Sequence, residues 1–293
     1  MKIIDTTTFF EENMIMDIRF NILNPYVDKF LVCESLYTHS GKKKNINFNI
    51  NDYPKFKNKI IHIILKDEPV DLINGEDLSV QDKRLNSISR IRSQRNYIKT
   101  FLKEFSPEDY IIYSDNDEIP NLENFDLRTV KKKFVIFKQQ IFYYKLNLSL
   151  PNLNWFGSKA CKLKYLRSVD FLRNIKNRKY SFLRIDTLFS DNKQNSVELV
   201  KNGGWHFSNL KNSTDIELKL KSYLHHHDYE SEELGKEKIE ELIKNNSTIY
   251  DMFADKTSNK YSDASRRQLA KFEIKKLPIY IQNNLNKFKG WVD

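Results

Sequence analysis

The first half of the chain alternates between short apolar runs and longer segments with helical spacing of apolar residues. Four apolar runs predict strands, at Ile3-Ile4, 30–33, 59–65 and 110–113. Two segments place apolar residues every three or four positions and predict helices, at 13–23 and 84–104. Strands that alternate with helices are typical of an α/β fold, with a mostly parallel sheet flanked by helices.

The second half of the chain is less regular. Apolar runs at 134–144 and 155–166 predict further strands, and the basic stretch 167–179 is expected to form a loop or a short exposed helix. From Thr214 onward the apolar spacing becomes helical. No internal repeat and no Gly/Ser-rich or Pro-rich linker divides the chain, so we predict a single domain over 1–293 with a helical C-terminal extension.

Composition narrows the class of protein. Of the 293 residues, 40% are apolar, which suffices for a packed core and excludes global disorder. No stretch approaches the roughly 20 apolar residues needed to span a bilayer, and the N-terminus does not resemble a secretory signal. Two cysteines, Cys33 and Cys161, form neither a disulfide framework nor a metal knuckle. We therefore expect a reducing, cytoplasmic setting.

The net charge of +10 favours an anionic partner: nucleic acid, anionic lipid or a small phosphorylated substrate. The alternative is that the many Lys, Asn and Ile residues reflect an AT-rich genome. The lysines are dispersed and the aromatic residues fall in apolar runs, which argues against a nucleic-acid partner. The basic segment 266–291 predicts a peripheral contact with anionic lipid or, alternatively, an amphipathic helix packed on the domain.

Two carboxylates one residue apart follow the last strand of the first half. Asp115 and Asp117 flank Asn116, directly after the apolar run 110–113. Ligands of parallel α/β sheets bind outside the carboxyl ends of the strands, and carboxylate oxygens suit Mg²⁺ or Mn²⁺. The pattern predicts a metal site that neutralises a diphosphate leaving group. The alternative is a capped turn, since Asp and Asn favour turns and Pro120 suits one.

Two further motifs with chemistry lie in the second half. The segment Gly203–Ser208 places Trp205 beside His206, which predicts a sugar-stacking face and a metal or phosphate ligand; the alternative is a core tryptophan and a satisfied buried histidine. The run His225–His227 precedes Asp228 and fits either a metal site or an exposed helix end. The sequence contains no phosphate-binding glycine loop, no H-E-x-x-H motif and no G-x-S-x-G motif. Their absence argues against P-loop hydrolysis, the usual dinucleotide-linked redox chemistry, zinc-dependent proteolysis and serine hydrolysis of the G-x-S-x-G type.

These motifs occur together, in the same order, in one known family. The chain resembles the family 17 glycosyltransferases, which include β-1,4-mannosyl-glycoprotein β-1,4-N-acetylglucosaminyltransferases. The most specific matches are S-D-N-D-E-I-P at 114–120 and G-G-W-H-F-S at 203–208. Further matches extend over nearly the whole chain, at 27–34, 38–42, 94–96 and 277–288.

The resemblance implies a glycosyltransferase A-type fold, a divalent metal (Mn²⁺ or Mg²⁺) and inversion at the anomeric carbon. The donor is expected to be a nucleotide-sugar, with a UDP-sugar such as UDP-N-acetylglucosamine as the first choice, and the acceptor a glycan or lipid-linked glycan. We expect a nucleotide-sugar-binding half at 1–120, an acceptor half at 121–230 and the helical extension at 231–293. The alternatives are a sugar-phosphate nucleotidyltransferase, whose Gly-rich N-terminal loop is missing here, and a basic nucleic-acid-binding protein.

The resemblance also implies roles for individual residues. Asp117 is expected to bind the metal, and Asp115 to bind the metal or the donor ribose. His206 is expected to add a metal or diphosphate ligand, and Trp205 to contact the donor sugar. From the positions of the predicted elements, we expect the rest of the donor site at Glu34 and Asp67, after the second and third strands, and at Arg95 and Asn96, on the helix before the Asp115 strand; the alternative for each is a surface residue or a salt-bridge partner. Of these, the guanidinium of Arg95 would pair with the diphosphate.

An inverting transfer needs a carboxylate that takes the proton of the acceptor hydroxyl. Asp228 is the first choice for this base, because it aligns with the carboxylate of a Ser-aromatic-x-His-x-Glu stretch in the family. That stretch corresponds to 222–228 here, with altered spacing and Asp in place of Glu. Asp186 and Glu198 are the reserve candidates, because both precede the G-G-W-H segment and are expected to face the same cleft.

Overall fold

The computed structural model describes residues 1–178, 180–181, 183–187, 189–190, 192–222, 234–250, 261 and 266–293. Strands occur at β1 (Ile3–Phe9), β2 (Lys29–Ser35), β3 (Ile60–Leu65), β4 (Tyr110–Ser114), β5 (Glu118–Pro120), β6 (Phe134–Tyr143), β7 (Leu148–Lys162), β8 (Val197–Val200), β9 (Gly204–Ser208) and β10 (Ala270–Lys271). Helices occur at α1 (Asn13–Leu23), α2 (Val80–Tyr97), α3 (Val169–Asn174), α4 (Ser213–Ser222), α5 (Gly235–Lys244) and α6 (Ile279–Asn283).

β1 is the central strand of a parallel half-sheet. It pairs in parallel with β2 on one side and β4 on the other, and β3 pairs with β2. Helices cover both faces, so β1 is buried on both: Ile3 joins the core cluster that includes α1, and Ile4 joins the cluster that includes α3. The prediction of a parallel sheet flanked by helices is confirmed for this half. The order of the strands reverses between β1 and β4, where α/β sheets bind their ligands.

The other half of the sheet is mixed, unlike the mostly parallel sheet expected from the sequence. β7 runs antiparallel to both β4 and β6, β6 runs parallel to β8 and β9, and β5 is antiparallel to β9. Only residues 144–147 separate β6 from β7. So short a connection joins antiparallel strands, whereas a parallel pair needs a crossover of a dozen residues or more.

The C-terminal region differs from the helical extension expected from the sequence. It contains α5 and α6, but β10 joins the sheet by pairing antiparallel with β7. Leu269, just before β10, belongs to a third core cluster together with Ile239 and Leu242 of α5. The region is therefore attached to the main sheet by a strand as well as by helices. In the described part of the chain, no helix is both long enough and apolar enough to cross a membrane.

Candidate active site

The turn between β4 and β5 carries the two aspartates that the sequence singled out. The peptide N–H of Glu118 donates to the carbonyl of Asp115 at 3.1 Å, and the Glu118 carboxylate accepts from the Asp115 N–H at 3.0 Å. These bonds hold the turn closed at the carboxyl end of β4. The turn separates the two carboxylates, so that Asp115 and Asp117 have different partners.

The carboxylate of Asp115 is held by two arginines and a tyrosine. Arg173 donates from Nε and Nη2 to Oδ2 at 2.8 and 2.7 Å. Arg95 and the Tyr113 hydroxyl donate to Oδ1 at 3.1 and 3.0 Å. Burial alone would raise the pKa of Asp115, but the charges of Arg173 and Arg95 outweigh it and hold the pKa well below its usual range. In this structure Asp115 is therefore held by Arg173, Arg95 and Tyr113, and its expected role as a metal or ribose ligand stays a prediction.

The arginines reach Asp115 because two helices are joined beside it. Arg95 lies in the last turn of α2, which is fixed to β2 by the hydrogen bond from Gln94 to the Cys33 carbonyl. Arg95 also donates to Asp170 of α3 at 3.1 Å. α3 ends one turn later and carries Arg173. Arg95 is thus paired with Asp115 and Asp170, and its expected pairing with a diphosphate stays a prediction.

Asp117 has a different environment. Its Oδ1 lies 3.4 Å from Nε2 of His206, and its Oδ2 lies 3.7 Å from Nζ of Lys219. Burial would raise the pKa of Asp117, yet the neighbouring His206 and Lys219 lower it. The side chain keeps 15% of its surface exposed. Asp117 is thus an ionised carboxylate that a ligand can reach.

The G-G-W-H-F-S segment places His206 next to Asp117. β9 pairs with β5 so that His206 lies opposite Glu118, and the N–H of Phe207 donates to the Asp117 carbonyl at 2.8 Å. Gly204 has φ +130°, and a Cβ at this position would collide with the Ile119 carbonyl oxygen. Glycine is therefore required where β9 meets β5, which explains part of the motif.

Trp155, which the sequence did not mark, packs against the His206 ring. The indole of Trp155 on β7 lies 4.8 Å from the His206 ring and donates to Glu118 at 2.6 Å. Glu118 is fully buried, and burial together with the charge of Asp115 raises its pKa. Trp205, expected to contact the donor sugar, lies instead in the core with Phe207 and is 9% exposed. Because alternate residues of a strand face opposite sides, Trp205 and His206 cannot both face the site.

A cleft opens at the carboxyl ends of β1 and β2. We name it the first cleft and define it by Thr8, Glu12, Ser35, His39, Asn116 and Lys219. It lies beside the Asp115–Asp117 turn, at the point where the strand order reverses. Burial and the neighbouring charge of Arg95 lower the pKa of His39 to about 4, so that His39 is neutral near pH 7.

Three other residues expected at the donor site have different surroundings. The buried carboxylate of Glu34 accepts hydrogen bonds from Lys44 and from the N–H groups of Asn47 and Phe48, and so fixes the loop after β2. The side chain of Asn96 accepts from the Asp170 N–H at 3.0 Å and caps α3. Asp67 lies exposed just after β3.

Two of the three candidate bases, Asp186 and Glu198, lie in the described part of the chain. Asp186 is exposed and pairs with Arg184 at 2.7 Å and Lys193 at 2.8 Å. Glu198 lies half-buried on β8, paired with β6. Asp228, with the histidine run before it, lies outside the described residues. The identity of the base therefore stays a prediction.

The site also includes residues that the sequence analysis missed: Tyr113, Trp155, Arg173 and Lys219. Asp170 and Arg173 are three residues apart inside the basic stretch 167–179, at the spacing of neighbours on a helix. That spacing was the available signal for α3. Lys219 reaches Asp117 from α4, about 100 residues along the chain, and no local pattern marks this contact.

Comparison with known proteins identifies the class and then the family. The family model described as Glycosyltransferase family 17 matches residues 1–292. The protein is therefore a glycosyltransferase. The chain belongs to glycosyltransferase family 17, in agreement with the resemblance found in the sequence.

Among solved structures, the chain is similar to HddC from Yersinia pseudotuberculosis. The match has 11% identity and a TM-score of 0.33, and covers 69% of this chain and 92% of that one. HddC from the same organism in complex with GMP-PN matches with 11% identity, a TM-score of 0.31 and the same coverage of both chains. The search of curated proteins finds no match.

Proposed function

We propose that this chain transfers a sugar, with inversion and with the help of a divalent metal, from a nucleotide-sugar donor to a hydroxyl of a glycan or lipid-linked glycan. The observation that carries this proposal is the pairing of Asp117 with His206 at the carboxyl end of β4, beside the first cleft. Parallel sheets of this kind bind nucleotides where the strand order reverses. A UDP-sugar is the first donor to test.

The residues around Asp117 fit a divalent metal. Asp117 Oδ1 and His206 Nε2 lie 3.4 Å apart, close enough to share one ion. Mg²⁺ is usually bound through one or two carboxylates together with substrate phosphates, so a small protein ligand set is sufficient. The described residues contain no cluster of three or more His, Cys, Asp or Glu that could hold a metal by themselves. Asp117 and His206 would therefore hold the ion, with the donor supplying further oxygens.

When bound, the metal would screen the charge that develops on the leaving diphosphate. The residues of the chain would hold the reacting groups in place. Arg173 and Arg95 fix Asp115 and hence the turn that presents Asp117. Trp155 packs on His206 and keeps the imidazole facing Asp117.

Nucleotide binding provides the first test. Thermal unfolding of the wild type should be recorded with UDP, GDP and dTDP, each with and without Mn²⁺. We expect one nucleotide to raise Tm only when Mn²⁺ is present, because ligands that bind the folded state stabilise it. Asp117→Asn should lose this shift. Asp126→Asn, at an exposed carboxylate paired with Arg128, is the matched control and should keep it.

No shift with any nucleotide would contradict the proposal. A shift of equal size in Asp117→Asn would contradict the assignment of the metal to Asp117.

A further inference from the structure

A second cleft shares Lys219 with the first. We define the second cleft by Glu12, Asp117, Asn209, Asp215, Lys219 and Trp291. Glu12 and Lys219 also line the first cleft, so these two side chains stand where the clefts meet. Asn116 faces the first cleft and Asp117 the second. A donor in one cleft and an acceptor in the other would meet at this junction.

The second cleft contains a buried polar group without a partner. Asn209 follows β9 directly, is 2% exposed and has φ +53°. Among the described residues its side-chain nitrogen finds no hydrogen-bond partner. An unsatisfied buried donor destabilises the fold unless a ligand satisfies it. The group is therefore suited to bind a ligand oxygen in this cleft.

The charges of the second cleft indicate the class of ligand. Apart from Asp117, which would hold the metal, three acidic side chains line it, from Glu11, Glu12 and Asp215, against the two basic ones of Lys211 and Lys219. Lys211 is already paired with Glu11 at 2.8 Å. An excess of carboxylates disfavours an anionic ligand. Amide and carboxylate groups beside the aromatic ring of Trp291 suit the hydroxyls and the apolar face of a neutral sugar.

Glu12 is the carboxylate placed to act on such a sugar. Its Oε2 accepts from the N–H groups of Phe10 and Glu11 at 3.2 and 3.0 Å, which fixes the side chain just before α1. Both hydrogen bonds from the described residues end on Oε2, so Oε1 is left to accept a proton. A carboxylate fixed at the junction is suited to act as a general base, which must lie within hydrogen-bond reach of the proton that it takes.

We propose that the second cleft binds the acceptor as a neutral sugar, that Asn209 donates to one of its oxygens, and that Glu12 is the catalytic base. This inference rests on the glycosyl transfer proposed above. Glu12 takes the proton of the acceptor hydroxyl as that oxygen forms a bond to the anomeric carbon of the donor. The bond from this carbon to the phosphate oxygen breaks, and its electron pair leaves with the nucleoside diphosphate. Glu12 then releases the proton to solvent.

The test measures transfer to simple acceptors. The wild type should be supplied with Mn²⁺, the nucleotide-sugar that it hydrolyses, and the methyl glycosides of mannose, glucose, galactose and N-acetylglucosamine. Glucose 6-phosphate serves as the anionic acceptor. We expect transfer to at least one methyl glycoside, with glucose 6-phosphate used less well than methyl glucoside.

Two variants test the roles of Glu12 and Asn209. Glu12→Gln should lower kcat for transfer by about 10²–10⁴-fold and keep the thermal shift with nucleotide and Mn²⁺. Asn209→Gly should raise KM for the acceptor by about tenfold and leave KM for the donor unchanged. Glu104→Gln, at an exposed position, and Asn246→Gly, at another asparagine with positive φ, are the controls and should behave as the wild type does.

The outcomes separate the two proposals. If the wild type neither binds a nucleotide nor hydrolyses a nucleotide-sugar, the proposed function itself is wrong. A wild type that hydrolyses the donor but transfers to no methyl glycoside, or that prefers glucose 6-phosphate, overturns the neutral-sugar assignment. Normal transfer by Glu12→Gln overturns the base, and an unchanged acceptor KM in Asn209→Gly overturns the role of Asn209.

Discussion

Arg19→Met should destabilise the fold strongly, because Arg19 forms a buried ion pair beneath the candidate active site. Its Nε and Nη2 donate to the two oxygens of Asp5 at 2.7 and 2.5 Å, and Nη1 donates to the Glu118 carbonyl at 2.5 Å. Both side chains of the pair are at most 1% exposed. The bond to Glu118 joins α1 to the strand that follows the Asp115–Asp117 turn.

The expected magnitude follows from what the substitution leaves behind. Methionine fills most of the volume but leaves the Asp5 carboxylate buried and unpaired, and the Glu118 carbonyl without its donor. Removing one partner of a buried pair costs about 3–5 kcal/mol. The double variant Arg19→Met/Asp5→Leu should be less destabilised than Arg19→Met, because it removes the unpaired charge as well.

Equilibrium unfolding in urea at pH 7 measures the effect through the midpoint concentration and the slope. Arg128→Met is the control: its exposed pair with Asp126 spans 3.5 Å and should contribute less than about 1 kcal/mol. A loss below about 1 kcal/mol in Arg19→Met would contradict a stabilising buried ion pair. So would a double variant whose loss equals the sum of the losses measured for Arg19→Met and for Asp5→Leu alone.

Three further predictions concern pH, packing and lipid. Burial and the charge of Arg95 lower the pKa of His39 to about 4, whereas its pKa in the unfolded chain is about 6.5. The stability that comes from a neutral His39 is therefore complete above pH 6.5 and is lost as the pH falls toward 4. When the pH falls from 7 to 4.5, the free energy of unfolding of His39→Gln should therefore decrease by about 2 kcal/mol less than that of the wild type, as measured by unfolding in urea. Equal decreases would contradict a neutral His39. Gly157→Ala should lower the transfer rate and Tm, because a Cβ there would collide with the Glu118 carboxyl, whereas Gly290→Ala meets open space and should change neither. Co-sedimentation with liposomes tests the expected contact of the basic segment 266–291 with anionic lipid. This contact predicts that more protein pellets with anionic than with neutral liposomes.

The sequence predicts the regular elements best where one apolar pattern dominates. The helix expected at 13–23 coincides with α1, and the strand expected at 110–113 differs from β4 by one residue. β5 and β9 were not predicted, because their short runs mix Gly, Glu, His and Pro with apolar residues. Their strand geometry comes from pairing with each other across 84 or more residues of chain.

The candidate site could be predicted only in part for a similar reason. Asp117 and His206 were named from motifs, and the structure brings them together. The hydrogen bonds from Arg173 to Asp115 depend on the contact between α2 and α3. The sequence around Arg173 predicts only a loop or a short exposed helix and does not indicate this contact. The position of Trp205 follows from strand alternation, which places it with Phe207 once β9 is recognised as a strand.

The most direct test of the account is the turnover of a nucleotide-sugar by the wild type and by Asp117→Asn, each assayed with Mn²⁺ and after treatment with EDTA. We expect the wild type to release the nucleoside diphosphate with Mn²⁺, to lose that activity in EDTA and to recover it when Mn²⁺ is restored. Asp117→Asn should lose about 10²-fold or more with Mn²⁺ present. Full activity of the wild type in EDTA would contradict the dependence on a metal, and full activity of Asp117→Asn with Mn²⁺ would contradict the assignment of that metal to Asp117.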